Sequence, residues 1–350
     1  MNDFLKTLAI SVAAGGLLDL LGMFLPWLLG PMLALLLLRQ FTSMTFYWPR
    51  MLRTIGLILI GVQIGSSFNR EAVLLMWLDL PMMVFMTLAL VGFALVLALL
   101  FRKMTGESIQ TSMLGSLPGG LSQMVLLSED IKSASTTIVT IMQTFRILLV
   151  VLVVPFFTIF LGGREGGTAL ILTEPEFSLP AFMAAAAGGT ALYSGMKAVR
   201  FPLPEMMAPI VALAAVQSVT GTLLFEMPPI LIICAQLFIG ARLGLQMEQI
   251  GEKMTLRIGA AIVVNNLLLV AFAGGVAYVL SLWISSGLFI DYFLSAAPGG
   301  MAEMVLTAIE AGGDVALITG FHLFRIFFIL LIAAPAIAYF IKKLDGKTEV

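Results

Sequence analysis

An all-α polytopic membrane fold, an inverted-topology repeat of about ten spanning helices plus two re-entrant or broken helices, is what the sequence predicts. Three observations carry that prediction. Of 350 residues, 60% are hydrophobic and 11% charged, against about 45–50% and about 25% in soluble domains, and the mean hydropathy is +1.07. Apolar stretches of spanning length recur along the whole chain, and the two halves carry the same landmarks in the same order. The same composition excludes several classes. So much apolar sequence does not stay disordered. One cysteine, Cys234, cannot form an internal disulfide framework. One histidine, His322, cannot build a histidine metal centre within the chain. Lys plus Arg is 19 against 20 acids, with no basic run for phosphate contacts, so the expected partner is the lipid bilayer and not nucleic acid.

A spanning helix needs about 20 mostly apolar residues. By that criterion the first half offers segments at 5–23, 25–41, 50–67, 79–101, 107–127 and 135–162, and the second half at 180–197, 203–225, 229–248, 257–285, 289–309 and 315–341. The opening MNDFLKTLAI continues into apolar sequence past Leu21 with no clear small-residue cleavage site, and reads as a retained helix. Between the halves lie Gly162-Gly163-Arg164-Glu165-Gly166-Gly167 and then Glu174-Pro175-Glu176, a polar, glycine-rich connector. The expected organisation is repeat 1 at 1–165, a connector at 166–177 and repeat 2 at 178–350.

Leu117-Pro118-Gly119-Gly120-Leu121-Ser122-Gln123-Met124-Val125-Leu126 matches Ala297-Pro298-Gly299-Gly300-Met301-Ala302-Glu303-Met304-Val305-Leu306. Phe145-Arg146-Ile147 matches Phe324-Arg325-Ile326, Pro26-x4-Pro31 matches Pro204-x4-Pro209, and Gly61-x3-Gly65 matches Gly240-x3-Gly244. Four landmarks at nearly one separation make a tandem duplication of transporter size.

Charge decides how the copies are oriented, because cytoplasmic loops collect Lys and Arg. With twelve crossings the basic loop residues split ten to six. If 107–127 and 289–309 each dip in and return at their Pro-Gly-Gly kink, fourteen lie inside and only Arg70 and Arg164 outside. Each half then crosses five times, so the copies are inverted and both termini are cytoplasmic. The alternative keeps the Pro-Gly-Gly segments as broken crossing helices and gives up a short segment such as 5–23; both versions keep an interrupted helix in each repeat.

Proline removes a backbone donor and paired glycines remove side-chain cover. A helix interrupted at Pro118-Gly119-Gly120 or Pro298-Gly299-Gly300 therefore exposes amides and carbonyls, tolerated in a membrane only inside protein or beside water. Such ends offer partial charges of both signs, and two breaks related by inversion converge near the midplane. Ser122, Gln123 and Glu303 lie just past the breaks. Arg146 and Arg325 lie well inside long apolar helices, where a charge is costly and needs a partner: Glu303, Asp314 or carbonyls freed at the breaks. Gln143 and His322 lie three residues earlier, on the same helical face. Each arginine is either a clamp on carbonyls or a contact to a solute. The glycine pairs at Gly61 and Gly240 read as close helix packing. With no Walker, G-x-G-x-x-G, H-E-x-x-H or cysteine-cluster motif, neither an enzyme nor a cofactor is expected. The expected function is secondary transport of a small solute or ion, with a membrane-embedded regulator as the alternative; pairing of two copies is left open.

The duplicated P-x4-P element, the PGG-[LM]-x-[QE]-M element and the arginine near the start of each repeat's final apolar helix resemble the bacterial AbrB-type membrane family over nearly the whole chain. The resemblance implies a duplicated polytopic inner-membrane protein, of a kind variously labelled regulator of gene expression or ammonia monooxygenase. It also implies an acidic or amide residue after Pro-Gly-Gly, an Asp eleven residues before the Arg and a Gln three before it. This sequence has Gln123, Ser135, Gln143 and Arg146 in one half and Glu303, Asp314, His322 and Arg325 in the other, so Ser135 and His322 depart from that pattern. A copper monooxygenase needs more than one histidine, and a DNA-binding regulator needs a soluble basic module; neither label follows from the residues.

Overall fold

A computed structural model describes residues 2–68, 70–119, 121–129, 131, 133–160, 179–199, 201–220, 227–246, 255–283, 288–337 and 339. The predicted connector at 166–177 lies outside them. The described residues form helices and no strand: α1 (Asn2–Leu20), α2 (Pro26–Phe41), α3 (Arg50–Ser66), α4 (Arg70–Leu78), α5 (Leu80–Thr105), α6 (Ile109–Ser116), α7 (Leu121–Glu129), α8 (Thr136–Phe160), α9 (Leu179–Ala198), α10 (Pro204–Thr220), α11 (Pro229–Leu245), α12 (Leu256–Trp283), α13 (Phe289–Ala296), α14 (Met301–Ala311) and α15 (Val315–Phe328), the last running into a π-helical turn at Ile329–Ala333. Among the described residues, four stretches are long and apolar enough to cross a membrane: Leu80–Thr105, Thr136–Thr158, Leu256–Leu282 and Val315–Ile337. α2 and α11 are shorter apolar helices. The sequence reading gave no helix to 70–78, where α4 forms.

The chain divides into two compact units, and each draws on both sequence halves. One unit comprises 1–78, 163–247 and 305–317. In it α2 packs on α1 and α11, and α3 packs on α10 and α11. α2 and α10 start alike. Leu25 and Leu203, each immediately before a proline, hold left-handed backbone at φ +48° and +49°, a conformation that costs a non-glycine residue roughly 1–2 kcal/mol. Each proline then opens its helix, where its missing N–H is no loss.

The glycine pairs are sites of backbone contact, as close helix packing requires. A Cβ on Gly61 would fall 2.6 Å from the Met206 carbonyl oxygen, and one on Gly244 2.5 Å from that of Met32. Gly240 meets the Leu28 carbonyl and Gly65 meets Pro209 and Leu213. The order of these contacts makes α2 run parallel to α11, and α10 parallel to α3. α3 runs opposite to α11: Gly56 lies by Ala235 and Ile239, while Gln63 shares a small gap with Met227 and Ile232.

Helix ends are closed across the same pairs. Gln217 of α10, buried, donates through Nε2 to the carbonyls of Gly65 (2.9 Å), Ser66 (3.3 Å) and Phe68 (3.0 Å) at the end of α3. Arg39 of α2 donates to Leu245 O at 3.2 Å, at the end of α11. These are orphan C-terminal carbonyls that must find donors. Gln217→Leu keeps the volume and deletes the donor, so it should destabilise the protein by about 1–3 kcal/mol; a melting temperature equal to wild type would refute that role.

The other unit comprises 79–162, 248–304 and 318–350. α5 packs along α12, with Phe93 stacked on Phe272 at 4.0 Å between ring centroids. α6 and α7 lie against α8, and α13 lies against α12. Each predicted segment that carries Pro-Gly-Gly is two short helices: α6 then α7, and α13 then α14. Ser108 starts α6 by accepting from Thr111 N at 3.1 Å, and the Asp291 carboxylate starts α13 by accepting from Leu288 N at 3.3 Å.

Candidate functional site at the two broken helices

The site is built from the broken helices and the helix that follows each of them in its own repeat. α6 ends at Ser116 and α13 at Ala296, so both leave C-terminal carbonyls without intrahelical partners. α8 and α15 supply the donors, three residues apart on one face.

In the first repeat, Gln143 Nε2 donates to the carbonyls of Leu114 (2.8 Å), Gly115 (3.3 Å) and Leu117 (3.1 Å). Arg146 donates through Nη1 to Leu117 O at 2.6 Å and through Nη2 to Gly119 O at 3.1 Å. Its Nη2 also donates to Gln143 Oε1. In the second repeat, Arg325 Nη1 donates to the carbonyls of Ala296 (3.2 Å) and Ala297 (2.9 Å), and Nη2 to that of Gly299 (3.4 Å). His322 pairs with Arg325 Nη2 through Nδ1 at 2.7 Å and with Leu294 O through Nε2 at 2.9 Å. A guanidinium only donates. Nδ1 is therefore the acceptor and Nε2 carries the proton, which is a neutral imidazole. This explains the departure at position 322. A neutral histidine and a glutamine both offer one donor to the helix end and one acceptor to the arginine. All four side chains are buried, Arg146 at 3% exposure and Arg325 at 4%.

The two breaks are neighbours within this unit. A Cβ on Gly119 would lie 3.2 Å from Ile329 and 3.0 Å from Met124; one on Gly299 would lie 2.9 Å from Val150 and from Met304. Val150 is one helical turn beyond Arg146, and Ile329 one turn beyond Arg325. Each break is thus held by the arginine of its own repeat and touched by the final helix of the other.

The remaining candidates fall as follows. Pro118 and Pro298 are buried, and Gly119, Gly299 and Gly300 are partly buried. Glu303, buried, sits in the first turn of α14 with its carboxylate folded over Gly300, where a negative charge is favoured. Asp314 is exposed at the start of α15, its Oδ1 accepting from Leu317 N at 3.0 Å. Gly120 and the side chains of Ser122 and Gln123 lie outside the described residues. One contact was missed from sequence. Ser116, in the last turn of α6, donates to Asn265 Oδ1 of α12 at 3.2 Å. Asn265 and Asn266 are the only strongly polar side chains between Ile258 and Ala277, a legible signal in a helix that is otherwise apolar.

The model of the family described as "Transition state regulatory protein AbrB" matches residues 27–341. The chain belongs to that family. Relatives of this AbrB-family protein include "Uncharacterized protein YhjN" of Bacillus subtilis (strain 168), 24% identical over 363 residues, covering 94% of this chain and 90% of the relative. Another is "Putative regulator AbrB" of Escherichia coli (strain K12), 27% identical over 321 residues, covering 90% of this chain and 89% of the relative. The family match puts both copies of the break and its arginine inside the shared region.

Proposed function

We propose that this protein is a secondary transporter that moves a small solute across the bacterial inner membrane by alternating access around the two broken helices. The observation that carries the reading is the reciprocal arrangement at the breaks, with Gly119 against Ile329 and Gly299 against Val150. Interrupted helices that meet deep in an apolar protein, backed by buried polar side chains, are the usual construction of a transport site. The reading includes an inverted repeat of ten spans with two re-entrant segments and cytoplasmic termini. Helix directions support the inversion: α2 is parallel to α11, α11 is antiparallel to α3 and α3 is parallel to α10, so the equivalent helices α2 and α10 run oppositely. The charge split of the loops supports the same orientation. No chemical step is part of the reading.

The test is flux in liposomes holding the purified protein. Gly119→Leu drives a side chain into Met124 and Ile329, and Gly300→Leu drives one into the Glu303 carboxylate. Each should lower flux at least about tenfold, since small displacements in a site cost that much, while the protein remains monodisperse. Flux at the wild-type rate in both variants would sink the reading. A second reading, a membrane-embedded sensor that influences gene expression indirectly, is favoured by the name of the Escherichia coli relative. It expects a normal regulatory response with no flux.

A further inference from the structure

We infer that the solute is a small anion held beside Arg146. The inference rests on the transport reading above and adds the sign of the charge. Carbonyl ends of broken helices are the groups that would hold a cation, and here they are already occupied. Gln143 and Arg146 take Leu114, Leu117 and Gly119, and His322 and Arg325 take Leu294, Ala297 and Gly299. An incoming cation would have to displace a guanidinium from a fixed set of acceptors.

The local charge points the same way. Among the described residues at the breaks, Arg146 and Arg325 are cationic and Glu303 anionic. His322 is neutral by its hydrogen-bond roles. One positive charge is in excess in an apolar surround, where an uncompensated charge is costly. An independent observation marks an unmet donor on the first arginine. Arg146 is buried, and its Nε–H has no acceptor, although a buried donor left unpaired is expensive. An oxyanion there would accept from it.

The two repeats differ in the residue that would compete. α14 carries its own carboxylate, Glu303, in its first turn, whereas the matching position of the first repeat is the amide Gln123. The second break is therefore supplied with an anion by the chain itself, and the first is left to take one from solution.

Thermal unfolding of the purified full chain in detergent tests this, at constant ionic strength, with sodium succinate, sodium phosphate and sodium chloride compared against potassium, ammonium and choline chlorides. Stabilisation should be saturable in at least one oxyanion and indifferent to the cation. Glu303→Gln removes the internal carboxylate and should tighten the oxyanion roughly tenfold, and Gln123→Glu should weaken it by a similar factor, the scale expected of one neighbouring charge. Both changes are nearly isosteric. Saturable stabilisation by a cation alone, absence of any oxyanion effect, or equal oxyanion affinity in wild type and both variants would overturn the inference. The two readings fail separately: oxyanion binding with no flux keeps the charge assignment and removes transport, and flux of a cation keeps transport and removes the assignment.

Discussion

Arg325→Met should unfold the protein, or nearly so. Methionine fills much of the arginine's volume and donates no hydrogen bond, so the carbonyls of Ala296, Ala297 and Gly299 lose the guanidinium that now serves them. A buried acceptor left unmade costs about 1–3 kcal/mol, so three of them approach the whole stability of a typical domain, about 5–15 kcal/mol. His322 Nδ1 also loses its donor. Lysine should rescue poorly, because a single ammonium does not reproduce the planar fork that reaches two carbonyl directions at once. Arg146→Met should behave alike through Leu117 and Gly119. The checks are monodispersity in detergent and melting temperature. A wild-type melting temperature for both methionine variants would mean that the arginines do not hold the broken ends. The neighbouring position separates a specific role from general damage. His322→Gln gives the second repeat the arrangement that the first already uses and should be tolerated, whereas His322→Leu, of similar bulk, should not.

Much of this arrangement is legible in the sequence because the duplication repeats it. Pro-Gly-Gly occurs twice and does interrupt a helix each time, and each arginine stands at nearly the same distance beyond it, 28 residues from Pro118 and 27 from Pro298. The partners of those arginines are not legible. Glu303, Asp314 and freed carbonyls were all open, and the structure gives both arginines carbonyls. A backbone carbonyl is present at every residue and leaves no mark on residue type, so only the fold can say which ones lack a donor. The spans were harder for a related reason. A window of apolar residues reads 107–127 as one segment, because α6 and α7 have similar composition and differ only in the break between them. Nine-residue α4 falls below the length at which an apolar run stands out. The interleaving of the halves in two compact units is invisible along the chain, since it depends on contacts such as α2 with α11 that join residues about two hundred positions apart. The glycine pairs show both sides of this. Their spacing announces a close helix contact, and nothing in it says that Gly240 meets Leu28 of the other repeat.

Gly240→Ala should lower the melting temperature, and the sign is the informative part. On helix propensity alone, alanine in place of a mid-helix glycine stabilises by about 0.8–1 kcal/mol. Here the added methyl would be driven into the Leu28 carbonyl, and forced overpacking costs typically about 1–3 kcal/mol, occasionally more. The neighbour has little freedom to retreat. Leu28 lies in the first turn of α2, whose backbone is fixed by Pro26 and Pro31, and Gly30 of the same turn is itself pressed on α1, its Cβ position 2.7 Å from Ala14. Yielding at Leu28 would therefore disturb α1 as well, and a flexible side-chain end, the cheap way to relieve a clash, is not what the methyl meets. Gly61→Ala should behave alike against Met206, at 2.6 Å from its carbonyl oxygen. Gly92 of α5 is the control: no atom lies within 4 Å of its Cβ position, so Gly92→Ala should raise stability through propensity. Thermal unfolding of the three variants side by side decides the matter. A Gly240→Ala protein that melted above wild type, together with Gly92→Ala, would mean that α11 and α2 do not touch through their backbones, and the helix directions drawn from those contacts would lose their footing.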